Sequence, residues 1–121
     1  MAHELVQLLR QLDIIHRDPV NLKNAGASGV YVDIKKAYGY PVALSWISED
    51  LFEAIDKTAT CIAAAGYGGL PPAAEISSQH NLYLTLVRDE PKKHGTARWI
   101  DGYIPTNKDR IAVVDDVFTT G

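Results

Sequence analysis

Short runs of apolar residues in the second half of the chain constrain its fold more than any other sequence feature. They occupy 60–65, 82–87 and 110–114, and a helix that we predict to begin at Pro71 separates the first run from the second. Strands that read as unbroken apolar runs are buried on both faces, as in parallel sheets that helices cover. The sequence therefore predicts an α/β fold with a parallel sheet flanked by helices.

The first half of the chain has a different pattern. Apolar residues at helical spacing predict an amphipathic helix over 3–12, and β-branched and aromatic residues predict a strand over 30–34. A turn should follow at 37–41, and we expect Ser48 to cap a helix that begins at Glu49. We assign all 121 residues to one domain, with an N-terminal hood over 1–45 and a partial core sheet over 46–121.

Composition and charge exclude several classes of function. The net charge of −3 argues against binding to nucleic acid or to an anionic membrane surface. The apolar runs are too short to cross a bilayer, and the N-terminus does not read as a signal peptide. The single cysteine, Cys61, cannot form an internal disulfide, and the histidines lack the spacing of metal ligands. We therefore expect a cytoplasmic protein with no metal held by its side chains and no nucleic-acid or membrane partner.

The last segment of the chain carries the strongest chemical signal. Its apolar strand runs directly into Asp115 and Asp116, and Thr119, Thr120 and Gly121 follow. Ligands bind beyond the carboxyl ends of parallel strands, and a turn of hydroxyls and backbone N–H groups can hold a phosphate. Carboxylates at the same edge can accept hydrogen bonds from ribose hydroxyls. The pattern therefore indicates a site for a sugar phosphate.

A long polar segment, 89–109, separates the last two apolar runs. Connections of this length in a compact domain are usually lids or binding loops, and we expect a short hairpin arm at 97–103. Arg88 offers planar, bidentate donors to phosphate oxygens. Lysine and histidine at 92–94 can neutralise an anionic leaving group, and Gly95 gives the segment a hinge.

Four segments resemble the type I phosphoribosyltransferases, and in particular their orotate phosphoribosyltransferase branch. The strand with its acidic pair and Thr-Thr-Gly is similar to the family's phosphoribosyl-pyrophosphate motif, and 88–96 is similar to its mobile catalytic loop. The segment 21–33 is similar to the stretch that faces the base, and 64–73 to a glycine-rich loop whose N–H groups contact pyrophosphate. The resemblance covers nearly the whole chain and implies a hood, a core sheet and a lid.

The resemblance also implies an activity, which is transfer of a phosphoribosyl group from phosphoribosyl pyrophosphate to orotate, giving orotidine 5′-monophosphate and pyrophosphate. It implies Mg²⁺ bound mainly through the donor's own oxygens, and a homodimer in which each lid acts across the two-fold axis. Asp115 and Asp116 would hold the ribose hydroxyls and stabilise an oxocarbenium-like centre, with Lys92 as a third catalytic residue. The implied substrate-binding residues are Lys23, Tyr31, Arg88, Lys92, Lys93, His94, Asp115, Asp116, Val117, Phe118, Thr119, Thr120 and Gly121.

Departures from the family's pattern leave alternatives open. Asp89 stands where many relatives carry a lysine, so we expect this lid to bind pyrophosphate more loosely. Asn24-Ala25 and Gly29 replace the residues usual on the base side, so another purine or pyrimidine is an alternative acceptor. Relatives continue past the Thr-Thr-Gly turn, so we expect either a fragment of a longer enzyme or a chain stabilised by association. Besides transfer to orotate and transfer to another base, a further hypothesis is a non-catalytic module that senses phosphoribosyl pyrophosphate or a nucleotide.

Overall fold

The structure is a computed structural model that describes residues 2–17 and 30–116. It consists of a small hood and a four-stranded sheet with helices packed on it. In chain order the elements are α1 (Ala2–Gln11), β1 (Ile15–Arg17), β2 (Val30–Val32), α2 (Ile34–Ala37), α3 (Pro41–Ala54), β3 (Cys61–Ala64), α4 (Gly66–His80), β4 (Tyr83–Val87), β5 (Ile100–Gly102) and β6 (Ile111–Val113).

The main sheet has the strand order β5-β4-β3-β6. The central strand β3 is parallel to both β4 and β6, as the apolar runs predict, and Cys61 lies opposite both Tyr83 and Ile111. The edge strand β5 is antiparallel to β4, because the chain returns beside β4 instead of crossing over a face of the sheet. The three strands predicted from the apolar runs are thus parallel, and the antiparallel edge strand comes from the segment 97–103, where we expected a hairpin arm.

The opposite edge of the sheet is formed by β6. Among the described residues no strand pairs with its outer side, and Ile111 and Val113 are 48% and 65% exposed. Beside them lies a groove whose lining is mostly apolar and includes two charged residues; it comprises Ala54, Ile55, Asp56, Ala59, Arg110 and Ala112. The outer side of β6 thus presents an apolar edge.

Two apolar clusters form the core. One joins α1 to α3 around the fully buried Ile14, and the other joins β3 to α4 around the fully buried Ile62 and Ile76. Burying each of these isoleucines contributes about 2 kcal/mol of hydrophobic stabilisation. Leu51 of α3 packs against both clusters, so α3, which runs from 41 to 54, connects the hood to the core sheet.

Helix α3 begins at Pro41, eight residues before the predicted start at Glu49. Proline suits the first helical position because its N–H would have no partner there. Ser48 is therefore inside the helix and is not its cap, and its buried hydroxyl donates to the carbonyl of Leu44 at 2.7 Å. This local hydrogen bond gives the serine hydroxyl an acceptor within the helix itself.

Helix α4 begins at Gly66, and not at Pro71 as predicted, so the glycine-rich segment is the first turn of a helix and not a loop. Pro72 has no N–H to donate to the carbonyl of Gly68, four residues before it. The hydroxyl of Tyr38 donates to that carbonyl instead, at 2.6 Å. A residue of the hood thus replaces the hydrogen bond that proline removes.

Candidate functional site

The carboxyl ends of β3, β4 and β6 meet at one edge of the sheet because these strands are parallel. Beyond β3 the chain enters the first turn of α4, beyond β4 it reaches Arg88, and beyond β6 it reaches Asp115 and Asp116. Since β3 lies between the other two strands, the first turn of α4 lies between Arg88 and the acidic pair. The topology therefore brings together residues from segments far apart in sequence.

A cleft of about 650 Å³ opens between the first turn of α4 and the end of β4. The first N–H groups of a helix have no partner within the helix and carry a partial positive charge, so this turn favours an anion. The cleft is lined by Gly66, Tyr67, Leu70, Val87, Arg88, Asp89 and Glu90.

Asp116 lies directly against the first turn of α4. A Cβ atom at Gly68 would collide with the Asp116 carboxylate, so a larger residue there would displace the carboxylate from its position. The ammonium of Lys35, from α2, lies 3.5 Å from Oδ2 of Asp116. The neighbouring Asp115 is exposed and accepts a hydrogen bond from the Asp116 backbone N–H at 2.8 Å.

Two titratable groups report the electrostatics of this edge. Burial opposes the charged form of Asp116, but hydrogen bonding with Asp115 and the Lys35 ammonium together hold its pKa below the usual value. Burial, followed by the charges of Asp116 and Asp115, raises the pKa of Tyr38 to about 12. At neutral pH the carboxylate is therefore ionised, and the Tyr38 hydroxyl keeps the proton that it donates to Gly68.

The segment between β4 and β5 connects the two strands of a hairpin, and two backbone hydrogen bonds close it although 88–99 contains no regular strand. The backbone N–H of Arg88 donates to Trp99 at 2.9 Å, and that of Lys92 donates to Arg98 at 2.6 Å. The expected arm at 97–103 therefore exists, but its strand pairs with β4 at the edge of the main sheet. We refer to 88–99 as the lid hairpin.

The four predicted site residues of the lid hairpin fall into two groups. Arg88 and Lys92 both contact Asp101 of β5, at 2.8 Å and 3.1 Å. Hydrogen bonds from Arg88 and then from Lys92 lower the pKa of Asp101. Lys93 and His94 are exposed at the tip, next to Gly95, whose φ of +98° favours glycine.

Sequence reasoning missed the partners of the predicted site residues. Lys35, Tyr38 and Asp101 contact the acidic pair, the first turn of α4 and the lid cations, respectively. Their only sequence signal is polarity: Asp101 interrupts an apolar strand, and Lys35 follows the predicted strand at 30–34. The predicted site residues Lys23, Val117, Phe118, Thr119, Thr120 and Gly121, and the side chain of Tyr31, lie outside the described residues.

Within 2–17 and 30–116, no group of three or more histidine, cysteine, aspartate or glutamate side chains is arranged to hold a metal ion. None of the helices in these ranges has the length and apolar character needed to cross a bilayer.

Comparisons with known proteins give a consistent result, although no protein-family model matches the sequence. The orotate phosphoribosyltransferase of Methanothermobacter thermautotrophicus is 35% identical over 121 residues, which cover all of this chain and 66% of that protein. The orotate phosphoribosyltransferase of Aeropyrum pernix is 34% identical over 125 residues, with the same two coverages. The chain thus spans less than two thirds of the length of these curated relatives.

A solved structure agrees with the sequence relatives. The crystal structure of Mycobacterium tuberculosis orotate phosphoribosyltransferase matches with a TM-score of 0.73 at 28% identity, over 98% of this chain and 68% of that one. The predicted α/β class, with helices flanking the sheet, is therefore confirmed by a solved relative.

Proposed function

Since the chain belongs to the orotate phosphoribosyltransferase family, we propose that it takes part in transferring a phosphoribosyl group from phosphoribosyl pyrophosphate to orotate. In this reaction the bond between C1 of ribose and a pyrophosphate oxygen breaks, and a bond from the same carbon to a ring nitrogen of orotate forms. That nitrogen loses its proton, which leaves with pyrophosphate or to water. The products are orotidine 5′-monophosphate and pyrophosphate.

One observation carries the proposal beyond family membership: the acidic pair, the first turn of α4 and Arg88 share one edge of the sheet. The donor carries hydroxyls that suit Asp115 and Asp116, and a pyrophosphate that suits helix N–H groups and a guanidinium. The cleft of about 650 Å³ beside Arg88 has room for the anionic part of such a donor.

Departure of pyrophosphate leaves positive charge on the ribose ring and moves negative charge to the leaving group. Preorganised charges at both places lower the barrier because they need no rearrangement during the reaction. In our proposal the ionised Asp116 stabilises the ribose, while Arg88 and Lys92 receive the pyrophosphate. Asp89, which lines the cleft, weakens the positive field there.

We also propose that Mg²⁺ reaches this site with the donor. The described carboxylates fit that mode of binding, because Asp115 is exposed and uses one oxygen for the Asp116 N–H, while Asp116 is paired with Lys35. They could hold water molecules of a hydrated ion, which Mg²⁺ commonly keeps. When bound, Mg²⁺ would neutralise charge on the pyrophosphate oxygens.

A homodimer and a cytoplasmic location complete the proposal. Lys93 and His94, at the exposed tip of the lid hairpin, are not among the residues that line the cleft of their own chain. A second copy would give them a site to act on, and sedimentation would detect such a dimer. For the cytoplasm, the support is the buried free thiol of Cys61, which suits a reducing compartment.

The direct test is to incubate the chain with phosphoribosyl pyrophosphate, Mg²⁺ and orotate, and to measure pyrophosphate release. We expect release that depends on orotate and is absent with uracil or adenine as the acceptor. Release with another base alone would contradict the assignment of orotate. Donor binding by calorimetry without any turnover would contradict catalysis and favour the sensing module.

A further inference from the structure

Asp101 binds both of the cations at the base of the lid hairpin. Its Oδ2 accepts a hydrogen bond from Nη1 of Arg88 at 2.8 Å, and its Oδ1 lies 3.1 Å from Nζ of Lys92. Each carboxylate oxygen therefore contacts a different cation. Strand β5 places the carboxylate there through its antiparallel pairing with β4, in which Asp101 lies opposite Leu86.

The contacts with Asp101 leave both cations able to bind a further anion. Arg88 uses Nη1 for Asp101 and Nε for the carbonyl of Glu90 at 3.0 Å, so its Nη2 donors remain available, and the residue lines the cleft. Lys92 has three donors, of which one is directed at Asp101. A phosphate group could therefore bind to both side chains without displacing the carboxylate.

From this geometry we propose that Asp101 is a positioning residue for pyrophosphate binding, a role that rests on the proposed function. The side chains of all three residues are between 34% and 40% exposed, and ion pairs exposed to this extent contribute little to stability. What the carboxylate does provide is a fixed separation between two long, flexible side chains that carry the same charge. Fixing them before the anion arrives reduces the entropy that binding must overcome.

If Asp101 acts only through its charge, neutralising it should strengthen anion binding; if it acts by positioning the two cations, neutralising it should weaken anion binding. Asp101→Asn makes the lid hairpin more positive, which by itself would tighten the binding of an anion. The same change removes the ion pairs that hold Arg88 and Lys92, which weakens binding if Asp101 acts by positioning. Glu90→Gln is the matched control, because it removes one charge from the same hairpin without altering the Asp101 ion pairs.

Calorimetric titration of the chain with inorganic pyrophosphate separates these effects. We expect Asp101→Asn to raise the dissociation constant about tenfold, Asp101→Glu to restore most of the affinity, and Glu90→Gln to bind as tightly as the unmodified chain or more tightly. Thermal unfolding should show similar midpoints for all variants. Equal or tighter binding by Asp101→Asn would overturn the proposal.

A second measurement does not depend on pyrophosphate. Nitrogen-15 relaxation of the Arg88 Nε–H group should report an ordered side chain in the unmodified chain and in Glu90→Gln, and a mobile one in Asp101→Asn. Equal mobility in all three would overturn the role of Asp101 even if pyrophosphate binds. Failure of the unmodified chain to bind pyrophosphate would instead contradict the proposed function.

Discussion

At the scale of single residues, Asp116 shows how a candidate catalytic side chain depends on neighbours from other segments. Gly68 leaves space for its carboxylate and Lys35 compensates its charge. The sequence was sufficient to predict that the two acidic residues lie at the carboxyl edge of the sheet, because an acidic pair at the end of an apolar strand is a local pattern. Lys35 and Gly68 could not be predicted as its partners, since only the fold brings them within reach.

Replacing Asp116 by asparagine should reduce catalysis with little effect on folding. The change keeps the size of the side chain but removes the charge that we assign to the ribose. We expect orotate-dependent pyrophosphate release to fall about 100-fold, measured at saturating donor, with an unchanged unfolding midpoint. Asp50→Asn in α3 is the control, and release at the normal rate by Asp116→Asn would refute the assigned role.

Gly68→Ala tests whether the close approach of Asp116 matters for the donor. The added Cβ would collide with the Asp116 carboxylate and move it away from the helix turn. Calorimetry with phosphoribosyl pyrophosphate should show binding weakened about tenfold. Gly39→Ala is a matched control, because its Cβ would meet the Lys36 carbonyl at an ordinary 3.4 Å. Equal affinities of the two variants would contradict the steric argument.

At the scale of elements, the three parallel strands β3, β4 and β6 were predictable, and the starts of α3 and α4 were not. Unbroken apolar runs are local signals, and β3, β4 and β6 lie within them. Helix α4 carries glycine at 66, 68 and 69 and proline at 71 and 72, a composition that disfavours a helix. Tertiary contacts override that preference: Gly69 packs closely on the backbone of Val114, and Tyr38 donates to Gly68.

Tyr38→Phe tests this compensation at the first turn of α4. Losing the hydroxyl leaves the carbonyl of Gly68 without its donor, so chemical unfolding should show a loss of about 1–2 kcal/mol. Pro72→Ala restores an N–H that can reach the same carbonyl. In that background Tyr38→Phe should therefore cost clearly less, which a double-mutant cycle measures. Additive effects would show that Tyr38 does not replace the missing helical bond.

At the scale of the whole molecule, long-range hydrogen bonds connect the strands of the sheet at the end away from the candidate site. Opposite the cleft, Asp109 joins the segments that enter β3 and β6: its carboxylate accepts hydrogen bonds from the backbone N–H of Thr106 at 2.9 Å and from the hydroxyls of Thr60 and Tyr103, each at 2.7 Å. These bonds, that of the Thr106 N–H foremost, lower the pKa of Asp109 to about 2. Such long-range bonding has no local signal in the sequence.

This lowered pKa predicts a specific dependence of stability on pH. Because the folded state holds the carboxylate ionised more strongly than the unfolded state, the stabilisation is complete above the unfolded pKa of about 4. It is lost as the pH falls towards 2, where the folded carboxyl takes up its proton. Unfolding followed from pH 5 to pH 2 should therefore be less steep for Asp109→Asn than for the unmodified chain, and parallel curves would refute the argument.

The apolar outer side of β6 has a practical consequence for anyone who handles this chain. No strand within 2–17 or 30–116 pairs with this edge, and Ile111 and Val113 are in contact with water. An extended segment of a second copy can therefore pair with it, so concentrated samples should aggregate through sheet-like stacking. Val113→Lys would place a charge on this strand, and that charge would oppose its pairing with another strand. Light scattering should then show no aggregation of this variant at concentrations where the unmodified chain aggregates.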